Sequence, residues 1–180
     1  MIRLLLPETE FVGSFIATNP GIAIQQIELT MHKYLVLITQ SSKKGYKGFK
    51  INSIYKPSYL SRNTHDGGPI NLGIEYFMIH TNDFCELKTK NINADISYTA
   101  IPNKDYVKDI TNPPKHHLIV TGHMSWSKGQ LEEEMLNGIW MCVKFDQHIL
   151  FNVPVVDKWN KAYDLSGIIP ERIGMHDSSI

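Results

Sequence analysis

Seven segments rich in β-branched and aromatic residues recur along the chain, at Phe11–Ala17, Tyr34–Thr39, Phe49–Ile54, Tyr76–His80, Ile96–Ala100, Leu118–Thr121 and Trp140–Phe145. Such side chains fit the pleated, half-buried surface of a sheet better than the crowded turns of a helix. Between the segments lie Asn19-Pro20-Gly21, Lys44-Gly45, Asp66-Gly67-Gly68-Pro69 and Asn112-Pro113-Pro114. Gly tolerates the positive φ of tight turns, while Pro fixes φ and removes a ladder donor. The pattern predicts a sheet protein with short connections, and it leaves helices only the last third of the chain.

Two helices are predicted there. Ser127 with Gln130 has the S-x-x-Q spacing of a capping box, and Glu132, Glu133 and Glu134 then fall near the positive end of the helix dipole. Leu131, Met135 and Ile139 or Leu136 form an apolar stripe, Gly129 gives room for close approach, and Asn137-Gly138 ends the helix. The second helix starts at Pro154, places Val155, Trp159 and Ala162 or Tyr163 on one face, and stops at Gly167. Strands followed by helices in these proportions predict an α+β, or mixed α/β, fold. The expected form is a single compact domain over residues 1–180, with a mixed β-sheet and its helices concentrated in the C-terminal third.

A chain of 180 residues buries roughly 70% of its unfolded surface, enough for one core without disulfides or metals. Cys85 and Cys142 stand in no C-x-x-C arrangement, so a cysteine scaffold is not indicated and a reducing cytoplasm is the expected location. Pro7, Glu8 and Glu10 follow the opening apolar residues too soon for a signal peptide, and no run approaches the ~20 apolar residues of a membrane span.

The 18 Lys and Arg balance the 18 Asp and Glu, which removes the usual signature of a dedicated nucleic-acid binder. The balance is not local. Between Leu29 and His65 stand Lys33, Lys43, Lys44, Lys47, Lys50, Lys56 and Arg62 with no acid, interleaved with Tyr46, Phe49, Tyr55 and Tyr59. Lysine with stacking aromatics suits single-stranded nucleic acid, and Lys43, Lys44, Lys47 and Lys50 are the candidate contacts of this basic 33–62 segment. A lysine-decorated hairpin edge accounts for the same residues without any ligand.

Catalytic and metal signals are thin. Ser125, Gln130, Glu132 and His80 are the residues an enzyme pocket would draw on, at the end of the Leu118–Thr121 strand. The sequence around Ser125 lacks the flanking glycines of a nucleophile elbow. His117 and His123 share a strand face but stand ~20 Å apart at ~3.3 Å per residue, too far to hold one metal with His116. Gly67-Gly68-Pro69 lacks the context of a nucleotide loop. No cofactor and no metal is assigned.

The run from Gly122 through Trp126, Gly129-Gln130-Leu131-Glu132, Trp140, Asp157-Lys158-Trp159 and Gly167-Ile168 resembles the YqgE/AlgH family. Upstream, Gly13-Ser14-Phe15 through Pro20-Gly21, Gly45 and Gly48 with Ile51-Asn52, Gly67-Gly68-Pro69 and His80 are similar to the family's elements in the same order. Two departures stand out. Thr39-Gln40-Ser41-Ser42 replaces a frequent C-E-H-N, and only 14 residues separate Asn52 from Gly67, so the domain is shortened between 53 and 66 relative to members that carry an insertion.

The resemblance implies a compact mixed α/β fold in a bacterial cytoplasmic protein, in a family whose members are often labelled transcriptional regulators. Its signature residues, Gly67, Gly68, Pro69, His80, Gly122, Trp126, Gly129, Gln130, Glu132, Trp140 and Trp159, are read as structural. The expected function is a non-catalytic binding or regulatory module acting on a protein partner or through a groove. The alternatives are nucleic-acid contact and an enzyme built on the four residues above.

Overall fold

Leu35-Val36-Leu37-Ile38 is apolar at four successive positions, and in a pleated strand such a run serves two faces at once. That is how the molecule is layered. The computed structural model describes residues 11–20, 33–56 and 64–169. These form strands β1 (Phe15–Thr18), β2 (Leu35–Ser42), β3 (Gly45–Lys50), β4 (Thr64–Asp66) and β5 (Tyr76–Thr81), then β6 (Thr89–Asn91), β7 (Ile96–Ile101), β8 (His117–Thr121), β9 (Met124–Ser127) and β10 (Trp140–Val143). Helices α1 (Gln130–Leu136), α2 (Gln147–Phe151) and α3 (Lys158–Leu165) all lie in the last third, as the sequence predicts.

The α+β architecture expected from sequence holds, and its strands form two five-stranded sheets. The first runs β10-β1-β2-β3-β9 and is antiparallel throughout. The second runs β4-β8-β5-β7-β6, with β4 parallel to β8 and the rest antiparallel. Phe15, Leu35, Leu37, Phe49 and Ile51 of the first sheet region face Phe77, Ile79, Ile96, Tyr98 and Val120 of the second, and α3 adds Trp159, Ala162 and Tyr163 to this core. Val36 and Ile38 point the other way, into a second core with Tyr46, Trp126, Trp140 and Leu131 of α1. A third, smaller core of Met78, Ile101 and Ile119 lies against Phe84 and the 3-10 turn Tyr106–Asp109.

Several boundaries differ from the sequence reading. The third strand begins at Gly45, so Lys43 and Lys44 are the two turn residues of a hairpin. Ser127 ends β9 and does not cap α1; the cap position is Gly129 in the left-handed region at φ 80°. Half of the capping box survives, since the Ser127 N–H donates to Gln130 Oε1 at 2.9 Å. Gly129 has open space around its Cα, so the left-handed conformation, not close approach, is what glycine supplies there. The last helix starts at Lys158, because Pro154 opens a turn whose carbonyl accepts from the Asp157 N–H. Strands β4, β6 and β9 and helix α2 are short elements that the pattern does not reveal.

Candidate functional site

A β-bulge in β2 shifts the register between Ile38 and Gln40. One extra residue, Thr39, is accommodated, and Gln40 takes the place opposite Lys47. Ser125 of β9 pairs with Lys47 from the other side. Directly paired residues share a sheet face, so Gln40, Lys47 and Ser125 form one polar row across three strands on the face that carries Phe49 and Ile51 into the inter-sheet core. The row marks where that core ends and a mouth begins. A cavity of about 120 Å³ opens here, lined by Gln40, Ser42, Lys44, Gly45, Tyr46, Lys47, Ser125 and Trp126.

The second sheet closes over the row. The Tyr98 hydroxyl donates to Gln40 Oε1 at 3.3 Å, and Lys47 Nζ lies 4.5 Å from the Phe77 ring centre, a cation-π arrangement. Among the described residues no carboxylate lies within 4 Å of Lys47 Nζ. Burial lowers the Lys47 pKa, Glu75 opposes that shift and Lys90 adds to it. His123 packs edge to face against Phe77, ring to ring at 6.5 Å, with Nδ1 3.5 Å from Glu75 Oε2 and without a hydrogen bond. Its pKa is lowered first by burial, then by the Lys47 charge, while Glu75 raises it. The lining of the cavity itself holds two lysines and no acid.

Of the four lysines proposed for nucleic-acid contact, Lys43 and Lys44 are exposed at the hairpin tip and Lys47 is half-buried in the mouth. Lys50 is buried, ion-paired to Asp66 at 2.8 Å and 4.4 Å from the Tyr34 ring centre. Tyr46 and Phe49 are core residues, so they offer no stacking surface. Arg62 and Tyr59 lie outside the described residues.

The four residues of the enzyme reading are not brought together. His80 alternates with Ile79 on β5 and faces Phe84, away from the inter-sheet core. Its Nδ1 donates to the Thr81 carbonyl at 2.8 Å, its Nε2 meets Thr99 Oγ1 at 2.9 Å, and burial lowers its pKa. Ser125 belongs to the mouth, where its hydroxyl donates to the Tyr46 carbonyl. Gln130 and Glu132 belong to α1 on the outer face of the first sheet, and Glu132 Oε2 is buried with no hydrogen-bond partner. Whole sheets separate these positions. Among the described residues no three His, Cys, Asp or Glu gather as metal ligands.

A family model described as AlgH-like matches residues 22–171. The chain belongs to the AlgH-like family. A UPF0301 protein of Blochmanniella floridana is 33% identical over 126 residues, 68% of this chain and 64% of that relative's length, and one of Photorhabdus laumondii is 34% identical over 111 residues, 61% and 58% of the two lengths. The chain thus spans less than two thirds of the length of the curated relatives it matches. The solution structure of the AlgH protein from Pseudomonas aeruginosa superposes with a TM-score of 0.71 over 100% of both chains at 18% identity. Protein DIP2367 from Corynebacterium diphtheriae gives the same TM-score over 95% of both chains at 14% identity. These two likenesses establish the fold.

Several of the residues read as the family's signature occupy three places in the fold. Gly67, Gly68 and Gly122 bring two backbones together: the Gly67 N–H donates to the Thr121 carbonyl at 2.8 Å, and a Cβ on Gly67 would lie 2.5 Å from the Gly122 oxygen. Asp66 locks this turn, accepting from the Gly68 N–H with one oxygen and from Lys50 with the other, while Pro69 is exposed beside it. Trp126, Gln130 and Trp140 all donate to Glu134, a residue that sequence reasoning passed over as one of three first-turn glutamates. Trp159 donates to Thr18 Oγ1 and Tyr163 to the Thr18 carbonyl, tying α3 to β1. Gln40 was also missed, because nothing in its neighbourhood signals the bulge that turns it into the mouth. It lies in the segment that replaces C-E-H-N.

Proposed function

We propose that this AlgH-like chain is a non-catalytic binding module of regulatory type, acting in the cytoplasm, and that its recognition surface is the cavity beside the Gln40–Lys47–Ser125 row of the first sheet. The observation that supports this reading is the register-locked row Gln40–Lys47–Ser125 with a cavity beside it. Three strands hold those side chains in place before any ligand arrives, which reduces the ordering cost of binding. Binding sites are concave, with a few placed polar groups in an otherwise apolar surround, and Phe77 and Tyr98 of the second sheet supply apolar surface beside the row. The transcriptional role attached to the family by label is part of this proposal and would act through whatever the mouth binds. Among the described residues no helix is long and apolar enough to cross a membrane.

The test is an amide chemical-shift survey of the whole chain against a set of small acidic, neutral and basic compounds, followed by mass detection of each compound after prolonged incubation. Shifts gathered on Gln40, Ser42, Lys47 and Ser125, with every compound recovered unchanged, support the module. Chemical turnover of a compound, or shifts that gather elsewhere, would overturn it. The same survey with short single-stranded DNA separates the hairpin-tip lysines: shifts confined to Lys43 and Lys44, steeply dependent on salt, would instead favour nucleic-acid contact.

A further inference from the structure

Resting on the reading above, we propose that the mouth takes a compact oxyanion, the phosphoryl or carboxylate group of a small molecule, held between Lys47 and Lys44. The charge of the lining carries the argument. Lys44 and Lys47 are both among the residues that line the cavity, and Asp and Glu are not. The molecule as a whole is neutral, with 18 basic and 18 acidic residues, so an acid-free wall with two lysines is a local excess. Lys47 lacks a carboxylate partner within 4 Å and rests instead on the Phe77 ring at 4.5 Å. A half-buried ammonium attracts an anion more strongly than one in bulk water, because the effective dielectric is lower.

The hydrogen-bond inventory agrees. Gln40 Oε1 accepts from the Tyr98 hydroxyl at 3.3 Å, and the amide nitrogen of the same side chain is a donor. Ser125 makes only a long 3.3 Å bond to the Tyr46 carbonyl, and Ser42 an equally loose 3.4 Å bond to the Gly45 carbonyl, so both hydroxyls are open to a better acceptor. Gln40, Ser42 and Ser125 can thus each offer a donor beside the two lysines. The cavity's volume is about 120 Å³, enough for several waters. That has room for one oxyanion group. Charged groups beyond the lining act in both directions: Lys90 adds positive potential at Lys47, and Glu75 subtracts from it.

The experiment titrates the full chain with inorganic phosphate and, separately, with acetate, against sodium chloride at matched ionic strength, reading the amides of Gln40, Ser42, Lys47 and Ser125. Saturable shifts with phosphate or acetate that chloride does not reproduce are expected, and which of the two binds more tightly identifies the group. Lys47→Met keeps the apolar stem over Phe77 and is expected to weaken binding about tenfold or more, the size of one charge-assisted bond. Lys44→Gln at the exposed turn is expected to weaken it less, and supplies the test if Lys47→Met does not fold. Lys43→Gln, outside the lining, is expected to leave it unchanged. Equal shifts with chloride, or full affinity in both Lys47→Met and Lys44→Gln, would overturn the proposal. If neutral or basic compounds move these four amides while both oxyanions do not, this inference fails and the binding module stands; if nothing moves them, both fail.

Discussion

The indole nitrogens of Trp126 and Trp140 donate to the same oxygen of Glu134, at 2.9 and 2.6 Å, with the two rings edge to face at 5.8 Å. Gln130 donates to the other oxygen. One carboxylate on α1 thus ties together the edge strands β9 and β10, which are at opposite ends of the first sheet. Both indoles are buried, so without Glu134 their N–H groups have no water to turn to. Glu134→Ala should cost about 3 kcal/mol, since each stranded buried donor costs roughly 1–3 kcal/mol. Glu134→Gln keeps an acceptor but loses the charge, and should cost about 1 kcal/mol. Urea unfolding followed by tryptophan fluorescence measures both; equal stability of Glu134→Ala and the parent chain would show that the clamp contributes nothing.

Two glycines of the signature should respond differently to the same methyl group. At Gly67 an added Cβ meets the Gly122 carbonyl oxygen at 2.5 Å, backbone against backbone, where neither side yields cheaply. Gly67→Ala should therefore cost about 3 kcal/mol. At Gly129 the space is open and only the positive φ of 80° opposes a side chain, so Gly129→Ala should cost about 1 kcal/mol. A Gly129 variant as damaging as the Gly67 variant would mean that α1 depends on that cap more than its geometry indicates.

The long apolar strands and the last helix were legible because their signal is local. Leu35 to Ile38 reads as strand on side-chain type alone, and Trp159, Ala162 and Tyr163 fall on one helical face. The division into two sheets was not legible, since it depends on which strands pair across more than a hundred residues, as β1 does with β10. The basic segment illustrates the limit for the site. Sequence showed lysines alternating with aromatics, but the strand sends Tyr46 and Lys50 to one face and Lys47 and Phe49 to the other, so the residues that look like one surface belong to different environments. The bulge at Thr39 has no sequence signature, and without it Gln40 does not reach the mouth.

His65 is buried on β4 with an unpaired Nδ1, and its pKa falls to about 4, first through burial and then through the nearby Lys158 charge. In the unfolded chain the ordinary value is about 6.5. A folded pKa below the unfolded one means that the unfolded state takes up the proton first as pH falls. The contribution to stability is therefore complete above about pH 6.5 and is lost as pH falls towards 4. Between pH 7 and pH 5 the loss from this residue should be about 2 kcal/mol. His80 and His123 are shifted the same way and steepen the curve in the same window. His65→Gln, which does not titrate, should flatten the unfolding free energy over that interval by about 2 kcal/mol relative to the parent; an unchanged slope would mean that His65 is already protonated in the fold.

Lys158 presents the opposite end of the pH scale. Its side chain is 2% exposed, its ammonium has one acceptor, the Leu150 carbonyl at 2.6 Å, and burial lowers its pKa to about 8. The unfolded value is about 10.4. Here too the folded value is the lower one, so stability is highest above about pH 10.4, falls as pH drops towards 8, and is level below that. At pH 7 the buried charge costs about 3 kcal/mol relative to the unfolded chain. Lys158→Met removes that cost but leaves the Leu150 carbonyl unpaired, a penalty of roughly 1–3 kcal/mol. The variant should be more stable than the parent by about 1 kcal/mol at pH 7 and less stable by a similar amount at pH 10, where the parent amine is neutral in the fold. The crossing of the two stability curves is the diagnostic, because a packing effect alone would displace one curve from the other by the same amount at both pH values.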